Sequence, residues 1–177
     1  MLSLKTSHPT MVQYDHYIDP SLMDSLLPQK VSKEVEKEKR RVEYFGFTDD
    51  PNHFTAFVRD ISSSILDEYG FVHNKDLWYM DVIRYNLEDE SKRVKSGLAW
   101  HCEDDNYPNV ITVLHYLRLD EGIVDGNLKY KDNKGQKCVL PIKSGTTVIM
   151  DGQVPHKPQD PYGTGIRDLV IVSFKKK

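Results

Sequence analysis

Cysteine is nearly absent from this chain: Cys102 and Cys138 are the only two in 177 residues, too sparse for the disulfide framework that staples a small secreted domain. We read both as free thiols and expect a reducing, cytoplasmic setting. Long apolar runs are missing as well. None approaches the ~18 residues that cross a bilayer, and Met1 to Thr10 has neither the charged start nor the greasy centre of a signal peptide, so no membrane partner is expected. Positive charge is not in excess: 24 Lys and Arg stand against 27 Asp and Glu, a net charge of −3, which offers no basic field to a phosphate backbone. Nucleic acid is therefore not expected as a partner, and the closing Lys175, Lys176 and Lys177 read as a solubilising tail. Internal repeats and low-complexity linkers are lacking too, so residues 1–177 are read as a single domain.

What is present divides into two halves. Residues 1–76 are expected to be mostly helical support and residues 77–177 a β core, the order that suits helices packed on strands. Val31 to Val42, VSKEVEKEKRRV, mixes acidic and basic side chains around sparse valines and reads as an exposed helix aided by i,i+4 pairs. The run DDPNHFTAFVRDISSSILDEYG is the strongest helical signal. Asp50 stands at the N-cap position, Pro51 at the first helical position and Gly70 at a left-handed C-cap. Phe54, Phe57, Val58, Ile61, Ile65 and Tyr69 recur at spacings of three and four, one stripe for a partner surface. His53 falls in the first turn as a surface residue. From Leu77 onward, LWYMDVIRY, NVITVLHYLRL, GNLKYKD, KCVLPI, TTVIMDG and RDLVIVSF are short apolar runs parted by turn residues such as Asp-Asn-Lys-Gly at 132–135. The predicted class is mainly β with supporting helices, a sandwich or barrel.

The chemistry sits in SGLAWHCEDD, positions 96–105. On a strand His101 and Glu103 share one face with Cα atoms about 7 Å apart, close enough to clasp one ion, while Cys102 points away. Asp104 and Asp105 begin the following loop and read as solvated. His156, in IMDGQVPHKPQD, supplies a third ligand. Two histidines and one carboxylate form the facial triad of non-haem Fe(II) sites, which leaves positions open for a co-substrate and O2; zinc takes the same ligand types, but its structural sites are closed by four. Arg167 opens the apolar strand RDLVIVSF. It reads either as an inward fork for a carboxylate or as half of a strand-edge salt bridge with a nearby Asp.

In this order the pieces resemble the Fe(II)- and 2-oxoglutarate-dependent dioxygenases, and within them the prolyl-hydroxylase-like branch. The matching residues run from about 81 to 174: DVIRYN, WHCE, ITVLHYL, EGIVDGNLKY, KSGTTVIMDGQVPH and GIRDLVIVSF. The resemblance implies a double-stranded β-helix, a jelly-roll or cupin-like core. It implies that His101, Glu103 and His156 bind Fe(II), that Arg167 binds the distal carboxylate of 2-oxoglutarate, and that Tyr85 and Tyr116 stand beside that co-substrate. The implied reaction hydroxylates an unactivated C–H with succinate and CO2 as co-products, on a peptide or protein substrate. Two positions depart from the family pattern. Glu103 stands where most members have Asp, with Asp104 as the alternative ligand, and the loop after His156 is longer, carrying Pro158, Pro161, Gly163 and Gly165. The second arginine and the asparagine usual in the nucleic-acid demethylase branch are Ser173 and Leu169 here, which argues against that branch. The competing readings are a small-molecule hydroxylase and a non-catalytic cupin-like metal- or ligand-binding module. His115 alternates out of phase with Tyr116 and should face helices or solvent, while His8, His16 and His73 read as ordinary.

Overall fold

Period-two alternation of apolar side chains lays residues 73–176 out as strands whose two faces bury different partners. The computed structural model describes residues 10–13, 18–22, 34–35, 40–45, 54–89, 99–105 and 109–177. Within them lie β1 (Thr10–Gln13), β2 (Glu34–Val35), β3 (Arg40–Phe45), α1 (Phe54–Glu68), β4 (His73–Asp89), β5 (Val110–Leu119), β6 (Ile123–Val124), β7 (Leu128–Lys131), β8 (Lys137–Leu140), β9 (Thr146–Asp151), β10 (His156–Pro158) and β11 (Tyr162–Lys176). Among the described residues, eight strands form a sheet in the order β1-β9-β5-β11-β4-β3-β2, with β6 added on β11, and three form a smaller sheet, β10-β7-β8. Every pairing is antiparallel. The two curled sheets make a jelly-roll core, the double-stranded β-helix expected from the sequence.

Two apolar clusters fill the two faces of the large sheet. On the outer face Phe54, Val58, Ile65 and Leu66 of α1 pack on Met80 and Val82, Ile111 and Val113, and Val170, Val172 and Phe174. On the inner face, toward the small sheet, lie Ile83, Tyr85, Leu87, Leu114, Tyr116, Val148, Met150, Leu169 and Leu128. From Tyr79 on, after register shifts in its first part, odd residues of β4 face inward and even ones outward, so one strand serves both cores. The helix stripe is narrower than its spacing predicts: Phe57 and Tyr69 remain 46% and 37% exposed. Gly70 takes the left-handed conformation of a C-cap, at φ 75°. The loop at 132–135 turns as expected, with Asp132 N donating to Gln136 O at 3.0 Å and Gly135 N to Asp132 O at 2.9 Å.

Within residues 1–76 the described residues hold a helix of 15 residues and the helical Ser21 and Leu22, together with β1, β2, β3 and the start of β4. The helix expected over Val31 to Val42 is replaced by β2 and β3, and β3 pairs with β4 from Arg40↔Tyr85 to Phe45↔Met80. An i,i+4 ion pair on an exposed helix contributes only about 0.3–0.5 kcal/mol. The open edge of the long β4 offers a full ladder of backbone hydrogen bonds instead, and the β-branched Val35 and Val42 suit a strand. Asp50, Pro51, His53, His8 and His16 lie outside the described residues. No described helix is long and apolar enough to cross a membrane.

Candidate active site

His101 and His156 meet across a single antiparallel bridge: His101 N donates to His156 O at 3.1 Å and His156 N to His101 O at 2.9 Å. Their rings stand 4.2 Å apart between centroids. Each Nδ1 is bonded to the carbonyl two residues back, Ala99 O or Val154 O, both at 3.0 Å. A carbonyl only accepts, so each Nδ1 carries a proton and each Nε2 offers its lone pair. Glu103 does not reach them by strand alternation. It opens a 3₁₀ turn, Glu103–Asp105, which corrects the shared-strand reading and explains how a residue two places on still turns inward. Its Oε1 lies 3.7 Å from His101 Nε2 and 3.4 Å from His156 Nε2, and the three ligand atoms fall within 4.8 Å of one another. Two imidazole nitrogens and one carboxylate oxygen, with their other atoms tied down, fit a divalent ion such as Fe(II).

The neighbouring carboxylates have other work. Asp104 Oδ1 accepts from Val110 N at 3.0 Å while Asp104 N donates to Gly152 O at 3.0 Å. Gly152 is required there, because a methyl group would overlap the Asp104 carboxylate and the Val110 side chain. Asp105 Oδ2 accepts from Cys102 N at 3.0 Å. Asp105 is exposed, as expected from the sequence, and Asp104 is half-buried; both pin the ligand loop, and Asp104 lies outside the converging set. Cys102 Sγ bonds to the Gln153 carbonyl at 3.5 Å, away from the ligands, and both cysteines are free.

Tyr79 is the residue that sequence reasoning missed. Its hydroxyl donates to Glu103 Oε2 at 2.5 Å. Its inward parity, shared with Tyr85 on β4, is readable from the sequence, but its partner is not. Burial alone pushes the Glu103 carboxyl up, but the facing imidazoles of His101 and His156 and the bond from Tyr79 outweigh it and hold the group well below the usual carboxylate range. The facing Glu103 carboxylate, against partial burial, raises His101, so a proton and a cation compete for the same Nε2–Oε1 gap. Burial and the adjacent Glu103 charge push the Tyr79 hydroxyl up, keeping it a donor.

Arg167 lies on the inner face of β11, paired with Tyr85 of β4 and Leu119 of β5. It is 1% exposed. Its Cζ stands 5.1 Å from the Tyr85 ring centre and 5.3 Å from that of Tyr116. Nη2 donates to Gly126 O at 3.1 Å, but Nε is buried with no partner. The salt-bridge alternative fails, because the adjacent Asp168 faces the other way and is clamped by Arg84 at 2.7 and 2.8 Å. Among the described residues the ion pairs leave Arg167 out. A buried cation without an anion is destabilising on its own, and its fork matches a carboxylate. Burial pushes the Tyr116 hydroxyl up, while the Arg167 charge works the other way. His115 faces the helix as expected, with Nε2 at 2.8 Å from Ser62 Oγ and Nδ1 at 3.2 Å from Thr147 Oγ1, and His73 is bonded to Ser63 Oγ at 2.9 Å.

No protein-family model matches the chain, and no curated protein does. Solved structures do. A prolyl hydroxylase from Trichoplax adhaerens, in complex with a hypoxia inducible factor oxygen degradation domain peptide fragment, superposes with a TM-score of 0.69 at 11% identity, covering 98% of this chain and 86% of that one. A 2OG-Fe(II) oxygenase family oxidoreductase from Burkholderia pseudomallei gives 0.67 at 13% identity, over 97% and 85%. The viral collagen prolyl hydroxylase of Paramecium Bursaria Chlorella virus-1, as a 2OG complex, gives 0.56 at 12%, over 94% and 96%. At such identities the likeness establishes the fold, and the chain has the double-stranded β-helix of the 2-oxoglutarate/Fe(II) oxygenases and prolyl hydroxylases.

Proposed function

We propose that the chain is an Fe(II)- and 2-oxoglutarate-dependent dioxygenase that hydroxylates an unactivated C–H of a peptide or protein. The observation that carries this is Arg167, a buried guanidinium with an unpartnered Nε, on the inner face of the large sheet, the face whose Tyr79 bonds Glu103 of the His101, Glu103 and His156 cluster. A protein that only held metal would need the cluster but would have no use for a buried unpaired cation. Fe(II) and 2-oxoglutarate, when bound, supply O2 activation coupled to decarboxylation of the oxo acid, giving succinate, CO2 and one oxygen atom for the substrate C–H.

The chain's own groups bind and orient. His101 and His156 present Nε2 because Nδ1 is committed to a backbone carbonyl. Glu103 presents Oε1 because Oε2 is held by Tyr79. Arg167 receives the distal carboxylate of the co-substrate, with Tyr85 and Tyr116 against its guanidinium. Ile83, Leu114, Val148, Met150 and Leu169 pack in one buried apolar cluster with Tyr85 and Tyr116, a setting that strengthens a carboxylate–guanidinium attraction and excludes water. A peptide substrate is supported by the neighbours, one of which was solved with a peptide fragment.

The test is anaerobic visible absorption of the protein with Fe(II), then 2-oxoglutarate, repeated with Arg167→Ala. A charge-transfer band that needs both additions and weakens in the variant supports the reading. Tight metal binding with no band would instead leave a non-oxidising, cupin-like binding module. Peptide hydroxylation itself is read as the gain of one oxygen in the mass of a peptide incubated with the complete mixture.

A further inference from the structure

The smaller sheet carries His156 on one face and a group of lysines on the other. β10 meets β7 through His156↔Tyr130, Lys157↔Lys129 and Pro158↔Leu128, and β7 meets β8 through Lys129↔Val139, Tyr130↔Cys138 and Lys131↔Lys137. Leu128, Tyr130 and Leu140 join the inner core, so by alternation Lys129, Lys131, Lys137 and Lys157 share the outer face with Val139. Two lysine pairs, 157 with 129 and 131 with 137, stand directly opposite each other. Like charges placed so are destabilising. The ion pairs among the described residues leave all four lysines out, although the chain as a whole has a net charge of −3. A repulsive patch kept in an acidic chain calls for an anionic partner.

The patch also leads to the metal loop. The Lys131 ammonium lies 5.2 Å from the centre of the Trp100 ring, and Trp100 precedes His101. We propose that this lysine face docks an acidic segment of the protein substrate beside the loop that carries His101. The proposal names a substrate class for the dioxygenase reading and rests on that reading for the oxidation of the docked chain. Among the described strand residues the outer face bears lysines and one valine with no stacking aromatic, whereas single-stranded nucleic acid is held by cations interleaved with aromatic rings; the Trp100 ring is already covered by Lys131. Among the described residues β8 pairs with β7 alone, and Val139 is 55% exposed. An extended chain can therefore add to this edge and bury Val139 while its carboxylates meet the lysines. Lysine on a sheet edge also discourages pairing with a second copy of the same chain, a repulsion that an acidic segment does not meet.

The test is fluorescence anisotropy of a labelled Glu-Gly repeat peptide at low and high salt. Wild type should bind saturably at low salt and release the peptide as salt rises. Lys129→Glu/Lys157→Glu should weaken binding about tenfold or more, and Lys137→Glu alone should weaken it in the same sense. Arg59→Glu/Lys75→Glu makes the same change of net charge on side chains already paired with Asp60 and Asp67, and should leave binding near wild type. No binding at low salt, equal losses in the two double variants, or displacement by a thymidine oligonucleotide that binds more tightly would each overturn the proposal. Anisotropy needs neither iron nor 2-oxoglutarate. A charge-transfer band without peptide binding sinks this proposal alone, and peptide binding without a band sinks the dioxygenase reading alone.

Discussion

The two faces of the large sheet are built from the same strands, yet they treat buried polar groups in opposite ways. On the outer face polar groups are satisfied: His115 is bonded to Ser62 and Thr147, His73 to Ser63 and the Phe71 carbonyl, and Asp168 to Arg84 through both oxygens. On the inner face Arg167 Nε has no partner, and Glu103 Oε1 faces two imidazole nitrogens across gaps of 3.4 and 3.7 Å. Buried polar atoms are normally paired. The side that leaves them open is the side that expects a ligand, and substitution on each face should separate function from folding.

The sharpest test of that separation is Glu103→Ala, which should abolish metal binding and turnover, read by Co(II) titration and by product formation. Asp104→Ala is its counterpart one residue away. It keeps the ligand set but removes the acceptor for Val110 N, so the loss should fall on thermal stability. If Asp104→Ala instead abolished metal binding, the carboxylate ligand would have been misassigned. Next in size comes Arg167→Met, which should weaken 2-oxoglutarate about 30-fold or more, the cost of removing one partner of a buried charge pair. Without co-substrate its melting temperature should be unchanged or higher, because an unpaired buried cation is replaced by an apolar chain. A clear fall would make Arg167 a structural residue.

That contrast also explains which parts are legible in the sequence. Strand alternation is local, so the runs from 77 onward, the inward Tyr85 and Tyr116 and the outward His115 can all be read from parity. The ligands His101, Glu103 and His156 are recognisable by type and order, but the way Glu103 turns inward is not, because a 3₁₀ turn after a single bridge leaves no periodic trace. Tyr79 is invisible as a partner since its bond spans 24 residues. β2 and β3 mislead because a charged strand near a sheet edge and a charged exposed helix can share the same composition, and only the edge of β4 that β3 fills decides between them. The unpaired state of Arg167 depends on where Asp168 points, which parity gives, and on Arg84 reaching it, which parity does not.

The satisfied face has its own signature in pH. Burial pushes His115 down to about 4, below the roughly 6.5 of an unfolded histidine. The folded chain therefore holds it neutral where the unfolded chain takes up a proton. Its contribution to stability is complete above about pH 6.5 and is lost as pH falls toward the folded value, amounting to about 2 kcal/mol between pH 7 and pH 5. Urea unfolding at the two pH values, with a chelator present, should show that loss in wild type and a smaller one in His115→Gln. Equal slopes would place the acid sensitivity elsewhere.

The smallest effect probes a bonded group of hydroxyls on the inner face. Thr112 and Ser173 lie side by side across β5 and β11, Oγ to Oγ at 2.8 Å, and Ser173 pairs with Tyr79 on β4. Ser173 works against the upward push that burial gives the Tyr79 hydroxyl, and Tyr79 donates to Glu103 Oε2. That bond holds one carboxylate oxygen and leaves the other, Oε1, turned to the two imidazoles for the ion. Tyr79→Phe keeps the ring and removes that donor, so Co(II) affinity should fall about tenfold, the lower range for losing a partner of a metal ligand. Ser173→Ala, one bond farther back, should cost less. Thermal melting in chelator separates the two causes: a Phe variant that melts as wild type but binds Co(II) weakly shows that the hydroxyl orients Glu103, whereas full affinity would show that the turn at 103–105 already holds the carboxylate in place by itself.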